Sequence, residues 1–294
     1  PPRVRDSCLT AQMSALPLIP PPSRAEVMAA AARHLPDGQL ADFERMLRPT
    51  IGFVRSDAAG VSRFGGHAVL PGGRSWPTWN GRPLQFLALI DLAELAGLPS
   101  DLALPSMGTL SVFFDHEEQP WGFRPEDQGG CQVFYDPSGA TMTIEHPAGV
   151  DAFTAVSVAP RAGMSVPHPW EEGVDALGEE ASDLVFAVLE DLDGDGDRVD
   201  HRLGGWPSII QSPIWLECQL TANGVDTGGP AGYQGDRVEA LRAGAADWQL
   251  LLQVDSDEAS GWMFGDIGRL YVCIRRQDLA ELRFDRCWTV LQCY

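Results

Sequence analysis

Arg63-Phe64-Gly65-Gly66 and Arg202-Leu203-Gly204-Gly205 decide how this chain is read, because each opens a stretch built on the same plan. After the first comes Leu84-Gln85-Phe86-Leu87-Ala88-Leu89-Ile90-Asp91; after the second, Trp248-Gln249-Leu250-Leu251-Leu252-Gln253-Val254-Asp255. A Gly-led apolar run then closes each: Gly108-Thr109-Leu110-Ser111-Val112-Phe113-Phe114-Asp115 and Gly268-Arg269-Leu270-Tyr271-Val272-Cys273-Ile274-Arg275. Recurrence in the same order predicts a duplicated unit, spanning about residues 62–115 and 201–275. Strand alternation puts Leu250, Leu252 and Val254 on one face, and Leu270, Val272 and Ile274 on one face of the next strand. Phe86, Ala88 and Ile90, then Leu110, Val112 and Phe114, repeat the pattern, so each unit reads as a half-buried antiparallel sheet.

Working outward, residues 1–22 form a Pro-rich lead-in arm. Ser23-Arg24-Ala25-Glu26 is a capping box that starts a helix running to about His34, where Pro36 stops it. A second helix is expected over residues 39–47 and a first strand over 50–55. Between the repeats, strands are expected at 131–135, 141–145 and 153–158 and a helix at 174–189, with short helices at 237–243 and 278–282. The class is α+β: an arm and helices over 1–49, then one antiparallel β-rich body over 50–294.

Composition narrows the function. The 294 residues can bury a sizeable core, and the 31 Gly and 23 Pro favour short strands and turns over a helical bundle. No apolar run reaches membrane-spanning length and no apolar signal segment opens the chain, so a cytoplasmic location is expected. The start at Pro1 leaves open a leader removed upstream. Six cysteines without a CxxC pair argue for free structural thiols rather than a zinc ribbon or disulfide framework. The net charge of −20 repels nucleic-acid phosphates and anionic lipid and would attract a basic protein or a cation. Residues 170–200 carry twelve Asp and Glu against the single Arg198, read first as a solvated acidic face.

Several ordered pieces resemble the YwqG-like family, also called DUF1963. They are Ser62-Arg63-Phe64-Gly65-Gly66, Leu70-Pro71, Trp76-Pro77 and Pro83-Leu84-Gln85-Phe86-Leu87, then His201-Arg202-Leu203-Gly204-Gly205-Trp206-Pro207 and Ile210-Gln211. Leu250 to Asp257, Gly265 to Tyr271 and the closing Leu291-Gln292-Cys293-Tyr294 complete the set, from about residue 50 onward. The chain departs from the family pattern at Leu89, where Gln is usual, and at Phe264, where Trp is common. The resemblance implies no activity. Through gene context it suggests a kinship with immunity proteins encoded beside secreted toxins.

Candidate sites follow from residue chemistry. Gly-Gly can form a tight turn or an anion-binding nest, and Arg63 and Arg202 could clamp a carboxylate or phosphate. The structural alternative, preferred here, pairs them with Asp91 and Asp255. Asp191-Leu192-Asp193-Gly194-Asp195-Gly196-Asp197 resembles the start of a calcium loop, but Arg202 stands where an EF-hand needs its twelfth-position Glu. A different calcium turn would use Asp191, Asp193, Asp195 and Asp200. No nucleophile elbow, P-loop or dinucleotide fingerprint occurs, and the histidines lack zinc-helix spacing. The lead reading is therefore a non-enzymatic binding protein, of immunity type, that offers an acidic surface to a basic protein partner. The alternatives are an enzyme or small-ligand receptor with a site at Arg63, Arg202, Gln211, Gln253 and Asp266, and a calcium-stabilised structural protein. No other cofactor is expected.

Overall fold

The computed structural model describes residues 16–58, 60–139, 141–194 and 198–294. Its N-terminal helix α1 (Arg24–His34) starts where the capping box demands: Ser23 Oγ accepts from Glu26 N, and the Glu26 carboxylate accepts from Ser23 N at 2.8 Å. It is followed by α2 (Asp37–Met46), and the two bury Val27, Ala30, Ala31 and Phe43. The lead-in's first fifteen residues lie outside the described part. From Leu16 the arm is pinned, with Leu18 buried and bridged to Val199, and with Pro22 O accepting from Met164 N.

The strands are β1 (Arg48–Arg55), β2 (Arg63–Phe64), β3 (Thr78–Trp79), β4 (Arg82–Pro83), β5 (Gln85–Asp91), β6 (Thr109–Phe114) and β7 (Cys131–Asp136). They continue as β8 (Val156–Ser165), β9 (Arg202–Leu203), β10 (Trp248–Asp255), β11 (Arg269–Arg275) and β12 (Trp288–Gln292). Ten of them form one sheet in the order β12-β11-β10-β9-β1-β8-β2-β5-β6-β7; β3 and β4 pair separately. At its centre β1 and β8 run antiparallel, from Arg48 opposite Ser165 to Arg55 opposite Val158. On each side lies a two-residue Arg strand, then a long bulged strand, then a strand and an edge. The sheet curls into a near-barrel around one core shared by both arms, including Phe64, Ile90 and Val112 with Val254, Val272 and Leu291. Its edges approach each other: Tyr135 of β7 stacks on Phe284, just ahead of β12, at 5.5 Å.

The half-buried sheet gives way to one covered on both faces along the arms. Outside the first arm, Ala68, Val69, Leu70 and Leu84 pack on Phe86, Leu89 and Phe113. Outside the second, Ile209, Ile214 and Cys218 pack on Trp248, Leu250, Tyr271 and Cys273. Bulges between Phe86 and Ala88, and between Leu250 and Leu252, reverse the expected alternation. Phe86 and Leu250 thus join the outer layers, while Ala88, Ile90, Leu252 and Val254 point into the barrel.

The remaining helices are α3 (Leu92–Leu95), α4 (Ala181–Asp193), α5 (Trp215–Thr221), α6 (Asp236–Arg242) and α7 (Arg276–Ala280). The helix expected over 174–189 is interrupted. One 3-10 turn, Val174–Leu177, ends at Gly178 with φ +133°, a conformation outside the α-helical range, and α4 starts afresh at Ala181. In place of a strand at 141–145 there is only the bridge of Thr143 to Val69. No helix among the described residues is long and apolar enough to cross a membrane.

Candidate functional site, a polar cavity beneath helix α4

Strand register builds the site. Arg202 of β9 stands opposite Gln253 of β10, and Asp255 of β10 stands opposite Arg269 of β11. Cross-strand neighbours lie within side-chain reach, so Asp255 pairs with Arg269 at 3.1 Å and not with Arg202 as expected. Arg202 instead turns to Asp200, two residues back, donating through Nε at 2.8 Å and through Nη2, while its Nη1 donates to Trp206 O. Asp200 also accepts from Ser208 Oγ at 3.0 Å and from Gln253 Nε2 at 3.1 Å. Gln253 Oε1 closes the ring by accepting from Ser208 N at 2.9 Å. Burial alone would raise the Asp200 pKa, but the charges of Arg202, Arg269 and Arg198 hold it well below the usual carboxylate range. Burial pushes the Asp255 pKa up, against the pull of Arg269.

Behind this ring, His201 Nδ1 accepts from Asp255 N at 3.0 Å, so its proton sits on Nε2, which faces Asp257 Oδ2 at 3.8 Å. Its imidazole lies against Phe64 of the first arm at 4.1 Å. Both rings are buried, which makes this contact part of the core that joins the arms.

In front of the ring lies a cavity of about 340 Å³, roofed by Phe186, Leu189 and Glu190 of α4. Its polar wall comes from Arg198, Arg202, Arg269, Asp200, Ser208 and Tyr294. Arg198 contacts Asp193 and donates through Nη1 to Leu192 O, and Arg269 Nη1 donates to Ser208 O at 2.9 Å. Arg269 Nη2 and Arg198 Nε have no partner among the described residues. His168, also lining the cavity, has its pKa lowered to about 4 by burial and is neutral at pH 7.

Of the proposed ligand residues, Arg202 and Gln253 meet here. Gln211 and Asp266 do not line the cavity; they bond residues 293 and 294, Gln211 Nε2 donating to Cys293 O and Asp266 O accepting from Tyr294 N. Arg63 lies in the other arm, with β8 and β1 between it and Arg202. It donates to His67 O and lies over Phe86, and among the described residues it has no carboxylate partner. Asp91, its expected partner, caps α3 by accepting from Ala93 N. Three amides of the two Gly-Gly turns are engaged internally, Gly66 N among them as donor to Phe153 O. Gly65 N donates to Leu87 O, and Gly205 N donates to the Asp101 carboxylate at 2.9 Å.

The acidic run is likewise engaged by arginines. Asp191 accepts from Arg33 and His34, Asp193 from Arg198 and Asp200 from Arg202; Asp195 lies outside the described residues. Among the described residues no group of three His, Cys, Asp or Glu is arranged to hold a metal ion. Sequence reading missed Asp200 as the hub, along with Arg198, Arg269, Ser208 and Tyr294. The signal for Arg269 was present in the closing run of the second repeat, whose first side chain faces the last of the run before it.

The family described as a domain of unknown function, DUF1963, matches residues 62–293. No curated protein matches the chain.

Proposed function

Because the chain belongs to the DUF1963 family, whose description assigns no activity, we propose a function from the cavity itself: it binds a small carboxylate-bearing solute. The observation that carries this reading is the pair of donors without a partner among the described residues, Arg269 Nη2 and Arg198 Nε, on a wall braced by the Asp200 ring. Each arginine is neutralised by its own carboxylate, so recognition rests on directed hydrogen bonds rather than on net charge. The closed Arg202–Asp200–Gln253–Ser208 ring lowers the ordering cost on binding. Calorimetric titration with a series of small mono- and dicarboxylates and with inorganic phosphate tests it. A carboxylate should bind, and Arg198→Gln should weaken it about 10-fold or more, the loss of a charge-assisted bond. Heat-silent titrations throughout the series would sink the idea.

A second reading, a binding protein for a basic protein partner, is favoured by one feature. Trp170, 51% exposed, stands next to Glu172 and Asp175 and packs on His168 at 4.7 Å. An exposed Trp among exposed carboxylates has the character of an interface anchor. The matching bulges and Gly-Gly turns also support reading the two arms as copies of one unit, with Leu89 and Gln253 at corresponding places.

A further inference from the structure

The loop between β6 and β7 carries a second concavity, of about 380 Å³, that has no part in the cavity under α4. Three rings line it: Trp79 from the β3–β4 hairpin, and Trp121 and Phe123 from the loop, the latter two 5.7 Å apart. The rings are held by backbone. Trp79 Nε1 donates to Gln128 O at 3.1 Å, and Trp121 O accepts from Leu291 N of β12 at 3.0 Å. Asp127 accepts from Gly122 N and Arg124 N on either side of Phe123. The preceding turn is fixed by Asp115, which accepts from Glu117 N and Glu118 N, and by Gln119, which donates to Met263 O and accepts from Gly265 N.

Charge decides what such a pocket takes. Glu118 and Asp127 line it, and the turn from Asp115 to Asp127 holds five carboxylates against Arg124 and, reaching in from β4, Arg82. Arg82 Nη1 donates to Oε1 of Glu118 at 3.0 Å, and Oε2 accepts no hydrogen bond among the described residues. Indole faces carry a negative quadrupole, and the field of a chain at −20 adds to it. We infer that Trp79, Trp121 and Phe123, with Glu118 and Asp127 at the rim, form an aromatic site for an alkylammonium or other compact organic cation.

The test compares choline with 3,3-dimethylbutan-1-ol, a neutral isostere of the same shape, by ligand-observed NMR titration. A peptide containing one trimethyl-lysine forms a third arm. Choline should bind about 5-fold or more tightly than the isostere, the range a desolvated cation–π contact provides. A peptide tighter than choline assigns the cation to a protein partner's side chain; the reverse assigns it to a free solute. Glu118→Gln, at a surface position, should weaken cation binding several-fold and leave the isostere unchanged, and Trp79→Leu should weaken it further. Equal binding of choline and isostere, no binding of either cation, or two variants that bind as wild type would each overturn the inference. The readout is independent of carboxylate binding under α4, so each reading fails alone.

Discussion

Glu217 of α5 is 3% exposed, with Tyr233 donating to Oε2 and Oε1 lacking a partner among the described residues. Burial pushes its pKa up to about 8, and that of Glu171 up to about 7 despite the hydrogen bond from Trp215 Nε1. Between pH 4.5 and 8 the folded Glu217 holds a proton that the unfolded chain has released, so it lowers stability as pH rises. Below about pH 6.5 the histidines lowered by burial, His116, His146 and His168, work in the opposite sense. Asp257, held at about 2 by His201 against its own burial, acts only in acid. The clean window is therefore pH 7 to 8.5. There the midpoint of thermal unfolding should fall for wild type and stay flatter for Glu217→Gln, which should be about 1–3 kcal/mol more stable at pH 8.5. Parallel curves for the two proteins would refute this account.

At the scale of elements, the Gly-Gly turns fix how each Arg strand leaves the sheet. Gly65 and Gly205 have φ +67° and +76°. A Cβ on Gly65 would stand 2.3 Å from Thr154 O, and one on Gly205 would stand 2.3 Å from Ser165 Oγ. Alanine at Gly205 therefore combines left-handed strain with a clash and should cost about 2–4 kcal/mol, read as a lower urea midpoint with an unchanged slope. These turns were legible because their chemistry is local, as was α1, whose capping box lies within four residues. The faces of Phe86 and Leu250 were not, because a bulge exists only once a partner strand sets the register. Arg202 and Gln253 were legible in the motif, whereas the roles of Asp200 and Arg269 depend on which strand lies beside which.

For the whole molecule, the field of −20 is concentrated where Glu172, Asp175, Glu179, Glu180, Asp183 and Glu190 are exposed around α4. If that face takes a basic protein, pull-down with the product of a neighbouring gene should succeed at low ionic strength and weaken steeply by about 0.5 M salt, where the Debye length falls to a few ångströms. Trp170→Ala should reduce capture at all salt concentrations; capture that ignores both salt and Trp170 would exclude this surface. The sequence by itself determined the α+β class, the capped first helix and the second that follows it, the antiparallel strands and the family, since these follow from local periodicity, capping and ordered motifs. Only the tertiary structure decided that Arg202 and Arg63 part company, that Asp255 serves Arg269, and that a cavity opens under α4. Those outcomes depend on long-range register and on how the sheet curls, and nothing in the spacing of Arg-Gly-Gly motifs encodes which side chain will stand across from which.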